Sequence, residues 1–113
     1  MSADCLFCRI ARKEIPATLV HESDEFIAFR DIDPKAPVHV LVVPRAHVAS
    51  LDDATDAAMI GRLSLIAADI ARREGIAESG YRTVINTNRD AGQTVFHIHL
   101  HLLGGRKLSW PPG

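Results

Sequence analysis

The chain has 113 residues, 47% of them apolar and 24% charged, and a formal net charge of −1. This length supports a single domain with one core, and the composition excludes a disordered chain. The near-neutral balance provides no basic field for gripping nucleic acid by its phosphates.

The apolar runs are short and interrupted, so no membrane span is expected. Met1-Ser2-Ala3-Asp4 has neither the basic nor the apolar part of a secretory leader, which makes the cytoplasm the expected compartment. Cys5 and Cys8 are the two cysteines. In a reducing compartment their spacing reads as a metal clip or redox pair before a structural disulfide.

Residues 5–13 predict a short helix, with Leu6, Ile10 and Lys13 spaced by three and four, stopped by Pro16. Thr18 to His21 and Phe26 to Arg30 read as a hairpin around Ser23-Asp24-Glu25. Residues 31–37 form a turn-rich loop, followed by a buried strand from Val38 to Val43 that Pro44 ends. Asp53 to Glu74 predicts a long helix with a Met59, Leu63, Ile66, Ile70 stripe, Asp53 as N-cap and Gly75 as its stop. That stripe fits a core or a subunit interface equally. Arg72-Arg73-Glu74 reads as a solvated helix end. Tyr81 to Asn86 is a further strand, and residues 88–92 turn into a last one. The expected class is α+β: one domain over residues 1–113, with a mostly antiparallel five-stranded sheet and one long and one short helix.

The last strand carries the chemistry. In His97-Ile98-His99-Leu100-His101-Leu102-Leu103, three of the chain's six histidines alternate with apolar residues. On a strand this puts three imidazoles on one face, roughly 7 Å apart, and Ile98, Leu100 and Leu102 on the other. An isolated histidine is more often a satisfied core or surface residue. Three in a row on one face make a poor core and read as a chemical site.

This segment resembles the signature of the histidine triad (HIT) superfamily. The residues leading into it, Gly92-Gln93-Thr94-Val95-Phe96, and those after it, Gly104-Gly105-Arg106, strengthen the likeness. So do Ala28 to Pro34, Ala36-Pro37-Val38-His39 and the ending Trp110-Pro111-Pro112-Gly113. Together they are similar to the Hint branch, the histidine triad nucleotide-binding proteins, over nearly the whole chain. The resemblance implies a homodimer whose two sheets join, with a nucleotide pocket on each protomer. It also implies hydrolysis of the P–N bond of purine nucleoside 5′-phosphoramidates through a nucleotidyl-histidine.

In that family the middle histidine, here His99, is the nucleophile. A neutral imidazole attacks phosphorus well, and covalent capture divides one hard displacement into two easier ones. Neighbouring His97 and His101 disfavour a second positive charge and so keep the group neutral. His101 is assigned to assist the leaving amine, and His39 to orient the triad. Asn86 and the Gln93–Thr94 segment match positions that donate to phosphoryl oxygens. Asp31 matches the acidic residue that binds the ribose hydroxyls, although it also reads as an Asx-turn residue. Phe7, Ile10, Phe29, Ile32 and Leu41 match apolar positions around the base, where ordinary core packing is the competing reading.

The resemblance further implies a structural zinc. Some bacterial members bind it with two N-terminal cysteines, a histidine after the central strand and the first triad histidine, which here are Cys5, Cys8, His47 and His97. Others lack both cysteines, and two free buried thiols remain the alternative. Four such ligands leave no open position for a metal-bound water. Trp110 matches a segment near the partner's site and otherwise reads as an aromatic anchor for the tail. His21 is expected on the hairpin surface. A zinc metallohydrolase built on the histidines, a non-catalytic nucleotide-binding or scaffold protein, and a dinucleoside polyphosphate hydrolase or nucleotidyl transferase remain open.

Overall fold

The structure, a computed structural model, describes residues 4–113. It contains helix α1 (Leu6–Ala11), strands β1 (Leu19–Glu22), β2 (Phe26–Arg30) and β3 (Val38–Pro44), and helix α2 (Ala57–Arg73). Strands β4 (Tyr81–Val84) and β5 (Leu100–Gly104) complete it, and short 3-10 turns cover Leu51–Asp53 and Arg89–Ala91. All neighbouring strands are antiparallel, in the spatial order β1-β2-β3-β5-β4. The expected α+β class, five-stranded sheet and pair of unequal helices are present.

Alternation along the strands sends side chains to two separate cores. On one face Phe26, Ala28, Val40, Val42, Leu100 and Leu102 pack against Met59, Leu63, Ala67, Ile70 and Ala71 of α2. On the other, Ile27, Phe29, Leu41 and Val43 meet Phe7, Ile10 and Ala11 of α1. Strand β3 is covered on both sides, which is why its sequence is apolar without interruption from Val40 to Val43. The α2 stripe is largely core, with Met59, Leu63 and Ile70 buried and Ile66 half-buried.

Two local expectations need correction. The N-cap of α2 is Asp56, whose carboxylate accepts from the Met59 N–H at 3.1 Å. Asp53 lies in the preceding 3-10 turn, and its carboxylate is taken by the Ser50 hydroxyl at 2.8 Å. Gly75 does end the helix. It adopts φ 77°, its N–H reaches Arg72 O, and the Ile76 N–H reaches Ala71 O, which is a Schellman closure.

The second correction concerns the histidine strand. The β5 ladder begins at Leu100, opposite Val42. Continued by two residues, that register would put Ile98 opposite Pro44, which has no N–H to donate. The chain instead sends the Ile98 N–H to Val48 O at 2.7 Å, so His97–His99 approach the sheet without joining its ladder.

Candidate active site

The three triad rings share the α1 face. Phe7 touches both His97 and His99 edge-on, at centroid distances of 6.0 and 4.9 Å, and His99 lies 5.0 Å from His101. The partners of each ring determine which nitrogen holds the proton. His97 Nε2 lies 2.7 Å from Pro44 O, a pure acceptor, so Nε2 is protonated and Nδ1 carries the lone pair. His99 Nδ1 lies 2.7 Å from His97 O, so Nδ1 is protonated and Nε2 is bare.

A second chain of bonds decides His101. The Lys35 backbone N–H donates to His39 Nδ1 at 3.0 Å, which leaves the His39 proton on Nε2. That proton is donated to His101 Nδ1 at 2.9 Å, so the His101 proton is on Nε2. Asp31 Oδ2 stands 3.4 Å from His39 Nε2. Burial holds His39 and His99 below their ordinary pKa, and burial with nearby His99 and His39 pushes His101 down to about 4. The cluster is neutral near pH 7: His99 offers a lone pair and His101 an N–H.

A cavity of about 280 Å³ adjoins these rings. Of the residues expected to bind nucleotide, Phe7, Ile10, Phe29, Asp31, Ile32, Leu41, Thr94, His99 and His101 line it. Ile32 is otherwise fully exposed, so it sits at the rim and not within a core. Asp31 uses Oδ1 to accept the Asp33 N–H at 2.9 Å, the Asx-turn bond. Two expected residues are elsewhere. Asn86 lies beyond the end of β4 and lines an adjoining cavity of about 380 Å³, with His39 and His101. Gln93 is buried, and its amide is committed to the main chain: Oε1 accepts the Asn88 N–H, and Nε2 donates to Ala49 O and Val95 O. It shapes the loop that carries Thr94.

Sequence reasoning missed Leu6, Ile15, Pro16, Ala17, Arg30 and Val95, which complete the lining. Ile15 and Ala17, two apolar residues either side of Pro16, were the available signal; α1 itself already ends at Ala11, where Arg12 caps it and Lys13 turns to φ 62°. His21 lies at the hairpin, its Nε2 3.3 Å from the Ser23 hydroxyl. Trp110 is largely exposed, with the Arg82 guanidinium 5.9 Å from its ring centroid.

Cys5, Cys8, His47 and His97 converge behind the triad, with their ligand atoms all within 4.8 Å of one another. Cys5 Sγ and Cys8 Sγ lie 3.4 and 3.5 Å from His97 Nδ1, Cys8 Sγ lies 3.3 Å from His47 Nδ1, and the two Nδ1 atoms are 3.2 Å apart. Tetrahedral zinc with its usual bond lengths gives sulfur–nitrogen edges of about 3.5 Å and a nitrogen–nitrogen edge of about 3.3 Å. The residues fit zinc. The Pro44 carbonyl supplies the outer partner that aims the His97 lone pair at the metal position.

The model of the HIT domain family matches residues 12–108. The chain belongs to the HIT family. An uncharacterized HIT-like protein of Synechococcus elongatus is 55% identical over the full length of both chains. The purine nucleoside phosphoramidase of Escherichia coli K12 is 48% identical over 96% of this chain and 92% of its own. The crystal structure of a HIT family hydrolase from Legionella pneumophila superposes with a TM-score of 0.95, at 50% identity, covering 97% of this chain and 100% of that one. A zinc-bound histidine triad family protein from Mycobacterium smegmatis superposes at 0.83, with 34% identity over 95% and 81% of the two chains. Among the described residues of this HIT protein, no helix is long and apolar enough to cross a membrane.

Proposed function

We propose that this protein hydrolyses purine nucleoside 5′-phosphoramidates through a covalent nucleotidyl-His99. The observation that carries the reading is the proton arrangement. His99 presents an unprotonated Nε2, and beside it His101 presents a protonated one, at a cavity that also holds a carboxylate and an apolar lining. The likeness to the E. coli phosphoramidase supports the substrate class.

In this mechanism His99 Nε2 attacks phosphorus, and the P–N bond pair leaves with nitrogen. The nitrogen, held by a hydrogen bond from His101 Nε2–H, takes up a proton from solvent and departs as the amine, so His101 stays neutral. Water then attacks phosphorus, the His99–phosphorus bond breaks, and the water's proton is released to solvent, which regenerates neutral His99. Covalent capture and a positioned donor are the two rate-raising devices. Asp31 has Oδ2 available for the ribose hydroxyls, and Phe7, Ile10 and Phe29 offer the base an apolar wall.

Zinc held by Cys5, Cys8, His47 and His97 would supply a structural tie between α1 and the triad. The four ligands leave no open coordination position, and the nitrogens of His99 and His101 have other duties, which disfavours a metal-bound nucleophile. The sheet ends at β1 and β4 with unpaired edges, and a homodimer that joins two sheets is part of this reading.

The test is hydrolysis of adenosine 5′-phosphoramidate by wild type and His99→Ala, with intact-mass measurement during turnover. Turnover and a nucleotidyl adduct are expected in wild type only. A folded wild type that binds nucleotide but shows neither would overturn the proposal.

A further inference from the structure

His97 belongs to two constellations at once. Its Nδ1 lies among the two thiols and His47, while its backbone carbonyl accepts the His99 Nδ1 proton at 2.7 Å. The ring is completely buried and held at its other nitrogen by Pro44 O. A second contact joins the two constellations. Phe7 is the neighbour of Cys8 in α1, and its ring packs edge-on against both His97 and His99.

The single ring proton of neutral His99 must stay on Nδ1 for Nε2 to attack. Among the described residues, the His97 carbonyl is the group that holds it there. With ligands pulled together by a metal, the His97 main chain and the Phe7 ring are both fixed. Without the metal, four side chains that share one point lose their common anchor. Cys8 is buried and Cys5 packs against the α1 core, but His47 and His97 belong to neither apolar cluster, so that loosening need not melt the fold.

We propose that the Cys5–Cys8–His47–His97 cluster is positioning machinery for the nucleophile, and that metal occupancy there sets the fraction of His99 in its attacking tautomer. The substrate used to read the effect rests on the phosphoramidase reading, while the tautomer itself does not. The effect falls mainly on the chemical step, because none of the four ligands lines the nucleotide cavity, whose wall shares only Phe7 with the coupling.

The experiment compares zinc-loaded wild type, the same protein stripped by a chelator, and Cys8→Ser. Four quantities are read: bound zinc, AMP affinity by calorimetry, the His99 tautomer by ¹⁵N NMR of the histidine rings, and the single-turnover rate of adduct formation from adenosine 5′-phosphoramidate. Stripped wild type is expected to remain folded and to bind AMP within about threefold. Its His99 signal should change from Nδ1-protonated to a mixture, with adduct formation slowed tenfold or more. Zinc should restore both in wild type and neither in Cys8→Ser.

An unchanged tautomer and rate after zinc removal would overturn the proposal, as would a wild type that binds no zinc. Unfolding of the stripped protein would also overturn it, because the metal would then serve the fold as a whole. If zinc-loaded wild type forms no adduct, the phosphoramidase reading fails, and the tautomer shift still decides the coupling.

Discussion

His39 on β3 and His101 on β5 face each other across neighbouring strands, Nε2 to Nδ1, at 2.9 Å. The Lys35 N–H at the far side of His39 gives this bond its direction. His39 therefore acts on the chemistry through His101 and is a positioning residue. Replacing His39 with Phe removes the donor and leaves His101 Nδ1 bare, so the His101 proton is free to occupy either nitrogen. We expect kcat to fall on the order of 10-fold to 100-fold, with KM changed little, because the lost arrangement matters most in the transition state. His39→Gln keeps a donor and an acceptor in the side chain and should recover part of kcat. Steady-state kinetics on all three proteins checks this, and a Phe variant with wild-type kcat would show the relay to be idle.

Acid should destabilise the protein through the same ring. An unfolded histidine titrates near its ordinary value of 6.5, while burial and the neighbouring rings hold folded His101 at about 4. Between those values the unfolded chain binds the additional proton, so stability rises with pH across this window. It is lost as pH falls from about 6.5 towards about 4, and below that no further loss comes from this group. The full shift corresponds to about 3 kcal/mol, reduced to about 2 by the ring's partial exposure to solvent. Urea denaturation at pH 7, 5.5 and 4.5 should show this slope, flattened by about that amount in His101→Asn. Parallel profiles for the two proteins would refute the assignment.

The alternation of histidines with apolar residues made the triad and its shared face legible in the sequence, as did the two-sided burial of β3. The ladder's late start was not, because it depends on which β3 residue comes opposite Ile98, and that residue is Pro44. The N-cap was obscured by Asp52, Asp53 and Asp56 standing within five positions, any of which satisfies the same local rule. The clustering of the thiols and imidazoles was legible because residue type dictates which chemistry they can share. The partners of Gln93 and Asn86 were not, because an amide suits a ligand or a loop equally.

Gly105 and Gly75 separate two costs of adding a methyl group. Both have positive φ, 89° and 77°. A Cβ on Gly75 meets nothing within 4 Å, whereas on Gly105 it would lie 2.9 Å from Pro37 Cβ. Gly75→Ala should therefore cost about 1 kcal/mol from backbone strain alone. Gly105→Ala should cost about 2–4 kcal/mol, since the clash with a rigid ring adds to the strain. Chemical denaturation distinguishes the two. Equal losses would mean that the Pro37 loop gives way freely.

Gln93 joins three stretches of main chain: the turn at Asn88, the segment after β3 at Ala49, and Val95 on the cavity wall. Gln93→Leu keeps the volume and removes all three bonds, freeing the Asn88 N–H, Ala49 O and Val95 O, all of them close enough to the surface to recover part of their bonding from water. A fully buried unmet group costs about 1–3 kcal/mol, and these three are partly solvated, so a total stability loss of about 1–2 kcal/mol is expected. The functional effect should follow from the loop and not from the triad, because the Gln93 side chain reaches none of the rings through the bonds it makes. Thr94 and Val95 would shift at the cavity wall, raising KM as well as lowering kcat, in contrast to the kcat-weighted effect of His39→Phe. Kinetics and denaturation on Gln93→Leu test both halves together. Lost activity with undiminished stability and unchanged KM would instead place the Gln93 amide in direct contact with the reacting phosphoryl group.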